Sequence, residues 1–261
     1  MIWNTIFDLM TTAPKILLIG ISGPSSSGKT TLSRLLRDIF PSTIILHEDD
    51  FYKSDNDIPT NSRNGLADWD CIESINLPAL EKALAYIKQY AQLPLDLESK
   101  EDKNDVGESG VDKAVVEEMR EKARTVRDGA GPEATKVAII DGFLLYSDDM
   151  EAIRQMLDVK LFLRTDYKTA KSRREARSGY VTLEGFWEDP PGYVDQIVWP
   201  NYVKDHAALF KDGNVEEELD EAVCSRLEID GMPREAQGNM TTCLEWAYGI
   251  VEKALTEARM R

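Results

Sequence analysis

Residues Gly23 to Thr30 read G-P-S-S-S-G-K-T. This is the spacing G-x-x-x-x-G-K-[ST], a loop built to hold phosphate. Its two glycines let the backbone wrap closely around phosphate oxygens. Backbone N–H groups and the N-terminus of a following helix supply fixed positive potential. In such a loop Lys29 reaches the β- and γ-phosphates, and the Thr30 hydroxyl holds Mg²⁺. The predicted nucleotide-binding set is Gly23, Ser25, Ser26, Ser27, Gly28, Lys29, Thr30 and Thr31.

Other residues add chemistry a phosphate loop can use. Asp49 and Asp50 follow an apolar run at 43–47. A carboxylate there can accept a proton from a hydroxyl that attacks a γ-phosphate, although Asp also serves as an ordinary cap or turn residue. Asp141 follows Val137–Ile140 in the same way, the position from which an acid holds Mg²⁺ directly or through water. Lys168, Lys171, Arg173, Arg174 and Arg177 form the densest basic cluster in the chain. Spacings of three and four put Arg173, Arg174 and Arg177 on one helix face. Such a face is either solvated or a clamp for a transferring phosphoryl group. Trp69-Asp70 is read equally as a core aromatic beside an acid and as a nucleoside holder, with the ring on the base and the carboxylate on ribose hydroxyls.

These groups need elements to position them. Ile16–Ile21 is a short apolar, β-branched run that enters the loop directly, and Leu32, Leu35, Leu36 and Ile39 mark one helix face after it. The pattern predicts strands at 16–21, 43–47, 137–140 and 159–163, and a weak one near 225–229. Helices are predicted at 29–40, 75–92, 148–157, 167–178 and 194–211. A last helix starts near Thr242, with Thr242-x-x-Glu245 as a capping box. Alternating strands and helices, each strand a short apolar run, indicate a parallel sheet covered on both faces. Residues 96–135 are mostly charged and read as an acidic surface insertion, with a solvated helix over 111–126 that the fold can lose.

The chain has 261 residues and a formal charge of −16. That balance argues against nucleic acid or an anionic membrane as partner. No stretch approaches a membrane span. Cys71, Cys224 and Cys243 lie far apart, which fits a reduced, cytoplasmic chain without structural zinc. His47 and His206 are too few for a metal site. Met1–Pro14 has no basic n-region and is expected to be an N-terminal extension, not a secretory signal.

Five blocks carry a resemblance: Gly20–Gly23 into Ser27–Leu32, Glu48-Asp49-Asp50-Phe51-Tyr52-Lys53, Trp69-Asp70, Ile139–Leu145, and Pro191-Gly192-Tyr193 with Val198-Trp199-Pro200-Asn201-Tyr202. Together they resemble the nicotinamide riboside kinases, in the uridine kinase-like group of P-loop kinases. The likeness covers about 15–95 and 136–210. It implies an α/β P-loop kinase fold: a central parallel sheet with helices on both faces and a lid, one domain over 15–261. It implies ATP and Mg²⁺ as cofactors, a nucleoside substrate and a monomer. By the same resemblance Asp49 is the catalytic base, assisted by Lys29 and the lid arginine Arg177. Trp69 stacks on the pyridine ring, Asp70 binds the ribose hydroxyls, Arg174 belongs to the substrate site, and Tyr180 is a second stacking aromatic. Thr30 and Asp141 hold the metal. This chain has Asp141 where the family usually has Glu, and its loop 179–193 is longer. The rival readings are a uridine/cytidine kinase and a nucleotide-binding regulator without turnover.

Overall fold

The structure is a computed structural model that describes residues 15–104, 107–128, 135–177, 179–182 and 185–259. The predicted extension at 1–14 lies outside the described residues. Strand β1 (Ile16–Ser22) alternates between two cores, with Leu17, Ile19 and Ile21 on one face and Leu18 on the other. Side chains two apart share a sheet face, so an all-apolar run is buried on both sides. Helix α1 (Lys29–Ile39) follows the phosphate loop and buries Leu32, Leu35, Leu36 and Ile39. Strand β2 (Ile44–His47) and helix α2 (Leu77–Tyr90) come next, α2 starting at Asn76, whose side chain caps the Ala79 N–H.

Strands β3 (Lys136–Asp141) and β4 (Val159–Phe162) flank β1, with helix α4 (Glu151–Met156) between them in sequence. A two-residue strand, here β7 (Asp230–Gly231), completes a five-stranded sheet of order β2-β3-β1-β4-β7, parallel throughout. The chain leaves β1 toward β2 on one side and later crosses to β4 on the other. The carboxyl ends of β1 and β3 therefore face a topological switch point, where open α/β sheets bind ligands. Helix α5 (Tyr167–Glu175) carries Lys168, Lys171, Arg173 and Arg174 but ends short of the expected 178, so Arg177 stands beyond the helix and not on its face, ahead of a lid hairpin of β5 (Tyr180–Val181) and β6 (Phe186–Trp187). A π-type turn at Val194–Val198 then runs into α6 (Trp199–His206).

Other expectations change as well, and the helix predicted over 194–211 is split into the π-type turn, α6 and a 3₁₀ turn at Ala207–Leu209. The weak strand near 225–229 is instead helix α7 (Glu221–Leu227) followed by β7. Helix α8 (Met240–Arg259) starts before Thr242: the Asn239 side chain accepts the Thr242 N–H at 3.2 Å and takes the capping role assigned to Thr242. Helix α3 (Lys113–Asp128), expected to be solvated, buries Met119 and Ala123 in the core shared by α1 and α8, with Val111, Val115 and Val116 packed beside them. A few apolar residues at helical spacing suffice for such a stripe, and the composition of the segment averages over the faces. The outer face carries exposed pairs such as Glu118–Lys122 at 2.8 Å, which solvent screens and which add little to stability. Packing of the stripe is therefore what holds α3.

Candidate active site

The phosphate loop joins β1 to α1 in a conformation its glycines permit. Gly23 has φ 141° and Gly28 φ 99°, and a Cβ on Gly23 would run into the Leu163 carbonyl. The N-terminus of α1 has no side-chain cap among the described residues, so its N–H groups remain available to an anion. Lys29 Nζ donates to the Gly23 and Pro24 carbonyls, each at 3.0 Å, and points back across its own loop. Burial pulls the Lys29 ammonium down, and the Asp49, Asp141 and Glu48 carboxylates oppose that pull.

Carboxylates collect at the ends of β2 and β3 because the two strands are parallel neighbours. Their register sets His47 opposite Asp141. His47 Nδ1 lies 2.7 Å from Asp141 Oδ1, both side chains buried. Burial lowers the His47 pKa, but the Asp141 carboxylate outweighs it and raises it to about 9. Asp141 Oδ2 is buried with no hydrogen-bond partner among the described residues. Asp49 follows on a one-turn 3₁₀ helix, Glu48–Phe51, and is pushed up to about 7, first by burial and then by Glu101, with Lys29 opposing. Neighbouring Glu48 is wholly buried, accepts the Leu144 N–H at 3.2 Å, and is held well above the usual carboxylate range by burial.

A second wall faces these acids. Arg174 Nη1 and Nη2 donate to the two oxygens of Asp70 at 2.7 and 2.9 Å. Arg174 Nε and Nη2 donate to Asp189 at 2.6 and 3.2 Å, and Nη1 also donates to Ser25 Oγ at 3.0 Å. All five guanidinium N–H groups are used, which suits a buried Arg. The Arg174 charge also sits 5.2 Å from the Tyr180 ring centroid, and Arg177 5.3 Å from the same ring. Trp69 is buried, edge-on to Tyr52 at 5.3 Å and tilted against Trp187 at 5.5 Å. Its backbone N–H donates to Tyr193 Oη at 3.0 Å, so the lid-side π-turn holds the Trp69-Asp70 loop in place.

One cavity is lined by Ser25, Ser26, Gly28, Lys29, Thr30, Thr31, Asp49, Trp69, Asp70, Asp141, Arg174, Arg177 and Tyr180. Gly23 and Ser27 stand outside it: Gly23 shapes the loop, and Ser27 lines the adjoining open cleft of about 1040 Å³. Sequence reasoning passed over several neighbours. His47 and His206 are too few for a metal site, yet strand register makes His47 the partner of Asp141. Asp189 and Trp187, which are hydrogen-bonded to each other at 2.9 Å, carried no motif. Glu101 and Asn104 also line the cavity, although they belong to the segment read as a solvated insertion.

A phosphate loop at the switch point of a parallel sheet, acids at the neighbouring strand ends and a basic helix leading into a lid define a P-loop kinase. No family model matches the chain. Curated relatives do. It is 44% identical over 202 residues to the nicotinamide riboside kinase of Schizosaccharomyces pombe, covering 77% of this chain and 84% of that one. It is 36% identical over 203 residues to that of Eremothecium gossypii, covering 78% and 81%, and 36% identical over 210 residues to that of Saccharomyces cerevisiae, covering 80% and 85%. The chain belongs to the nicotinamide riboside kinase family.

Proposed function

We propose that the chain transfers the γ-phosphoryl group of ATP to the 5′-hydroxyl of nicotinamide riboside and releases the mononucleotide. The observation that carries this reading is the shared cavity, which Lys29 and Thr30 of the phosphate loop, Asp49, and Trp69, Asp70, Arg174 and Tyr180 all line. Asp49 takes the proton of the attacking hydroxyl. Its elevated pKa, about 7, suits a base working near neutrality. Asp70 holds the ribose hydroxyls, Arg174 keeps that carboxylate in place from behind, and the rings of Trp69 and Tyr180 stack on the pyridinium, whose positive charge favours aromatic faces. Lys29, the loop amides and Arg177 hold the charge that develops on the phosphoryl oxygens.

Thr30 and Asp141 are the residues that would hold Mg²⁺, and the buried, unpartnered Oδ2 of Asp141 fits that use. No cluster of three or more His, Cys, Asp or Glu with metal-ligand geometry occurs among the described residues. Mg²⁺ on a nucleotide commonly takes one or two protein ligands and completes its shell with phosphate and water. When bound, the ion neutralises charge on the phosphates. No helix among the described residues is long and apolar enough to cross a membrane. Three buried free thiols, at Cys71, Cys224 and Cys243, support a reducing cytoplasmic setting. We take the enzyme to work as a monomer.

The test is an ADP-release assay over a panel of nucleosides with wild type and Asp49→Asn. Nicotinamide riboside should be the preferred acceptor. The variant should lose turnover by about 100-fold or more while still binding ATP. Preference for uridine or cytidine would replace the substrate assignment. Near-normal turnover of the variant would remove Asp49 from the role of base.

A further inference from the structure

The two acids after β2 have different surroundings. Asp49 lines the cavity, whereas Asp50 Oδ1 accepts the backbone N–H groups of Lys100 and Glu101 at 2.6 and 3.1 Å. A single carboxylate oxygen thus fastens a one-turn 3₁₀ helix, Glu101–Lys103, to the rim of the site. The next residue is Asn104, whose Nδ2 donates to Glu101 Oε2 at 2.6 Å. A backbone N–H only donates, so the Val181 contact fixes which end of the amide faces the lid. The carbonyl end is left toward the lid, where Asn104 Oδ1 accepts the Val181 N–H at 3.0 Å. Val181 lies in β5 beside Tyr180, the ring that Arg174 and Arg177 both approach. Strands of two residues each make a hairpin too short to hold its own place. The bond from Asn104 ties it to the body of the protein.

We propose that Asn104 is a positioning residue for the reaction: it fixes the lid strand, and through that strand Tyr180 over the nucleoside, with Arg177 tied to the Tyr180 hydroxyl at 3.1 Å. The inference rests on the nucleoside kinase reading above. Asp50 anchors the segment that carries Asn104, and Glu101 orients its amide. The charged segment after α2 is thereby part of the catalytic apparatus.

Asn104→Ala should raise the KM for nicotinamide riboside by about 2- to 12-fold, the scale of one net hydrogen bond. The KM for ATP should stay within about twofold and the melting temperature within about 2 °C, because the bond links two surface segments and no core. Asp50→Ala should reproduce the effect, and the double variant should be no worse than either, since both cut one chain of contacts. A polarity exchange supplies a rescue. Asn104→Asp alone sets two carboxylates face to face, whereas with Glu101→Gln the donor sits on the other partner and Val181 keeps its acceptor. The double exchange should recover KM relative to Asn104→Asp. Hydrogen exchange on the substrate-free protein reads the lid without any nucleoside, and Asn104→Ala should speed exchange in the peptide 179–187. An unchanged KM with unchanged exchange would overturn the inference. So would an equal rise in both KM values, a fall in melting temperature beyond about 5 °C, or a double exchange no better than Asn104→Asp. If wild type is inert toward the riboside while the exchange effect persists, the substrate assignment fails and the clasp on the lid stands.

Discussion

Arg174→Ala should cost more stability than Asp70→Ala, although both break the same ion pair. The reason is what each leaves behind. Removing Asp70 takes two bonds from Arg174, at 2.7 and 2.9 Å, but Asp189 and Ser25 still hold the guanidinium. The loss is that of charge-assisted hydrogen bonds with the charge still compensated, about 1.5–3 kcal/mol. Removing Arg174 strips two carboxylates at once, with the side chains of Asp70 and Asp189 only 5% and 15% exposed. An uncompensated buried charge costs about 3–5 kcal/mol. The gap of about 2 kcal/mol corresponds to roughly 5 °C in melting temperature for a chain of this size. Thermal denaturation followed by circular dichroism at pH 7.5 and pH 5 measures it. The pH dependence has a definite sign. Burial already raises the Asp70 carboxyl above its ordinary range, and loss of Arg174 removes the largest opposing influence. The folded variant then binds a proton more readily than the unfolded chain, so acidification favours the folded state and narrows the deficit. Equal losses in the two variants, or a deficit in Arg174→Ala that widens at pH 5, would refute this reasoning.

The Asp49 carboxyl, pushed up to about 7 by burial and by Glu101, sets a further test. The base works only when ionised, so kcat/KM for the riboside should climb with pH, level off above about 7, and lose that limb in Asp49→Asn; a flat wild-type profile between pH 5 and 8 would contradict it. Trp69→Phe should keep ring contact and fold, whereas Trp69→Ala should raise the riboside KM by about 5- to 30-fold, the worth of roughly 1–2 kcal/mol of stacking and cation–π contact. A change in the KM for ATP instead would put Trp69 elsewhere. Excision of 98–128, which composition alone marks as dispensable, should lower the denaturant midpoint and weaken riboside binding. It uncovers the core beneath Met119 and Ala123 and removes Asn104. A fully stable, fully active deletion variant would argue against both contacts.

The phosphate loop and the strands were legible because their signals are local. A glycine pattern between an apolar run and a helical stripe specifies its own geometry, and β1, β3 and β4 each lie within a residue or two of the expected bounds. Asp49, Asp141 and the basic helix were legible for the same reason, as each sits at the end or on the face of a recognisable element. What stayed hidden depends on partners far along the chain. His47 meets Asp141 through sheet register across 94 positions, and Asn104 reaches Val181 across 77. Helix α3 was misread because its charges outnumber its stripe. The strand expected at 225–229 failed where Glu228 turns left-handed, at φ 56°, and ends α7 just before the short β7.

Arg174 touches the phosphate loop through Ser25, the nucleoside wall through Asp70 and the lid through Asp189. A guanidinium is rigid and planar, so it cannot adjust one of these bonds without tilting the others. Displacement of one wall is therefore felt at the other two. On the proposed reading, a ribose that draws Asp70 toward itself should shift the fork, and the shift should arrive at the phosphate loop through Ser25. Linkage makes the exchange reciprocal: whatever factor the riboside imposes on ATP affinity, ATP imposes on the riboside. The cooperativity between the two substrates is then a single number, obtained equally well by titrating either one in the presence of the other.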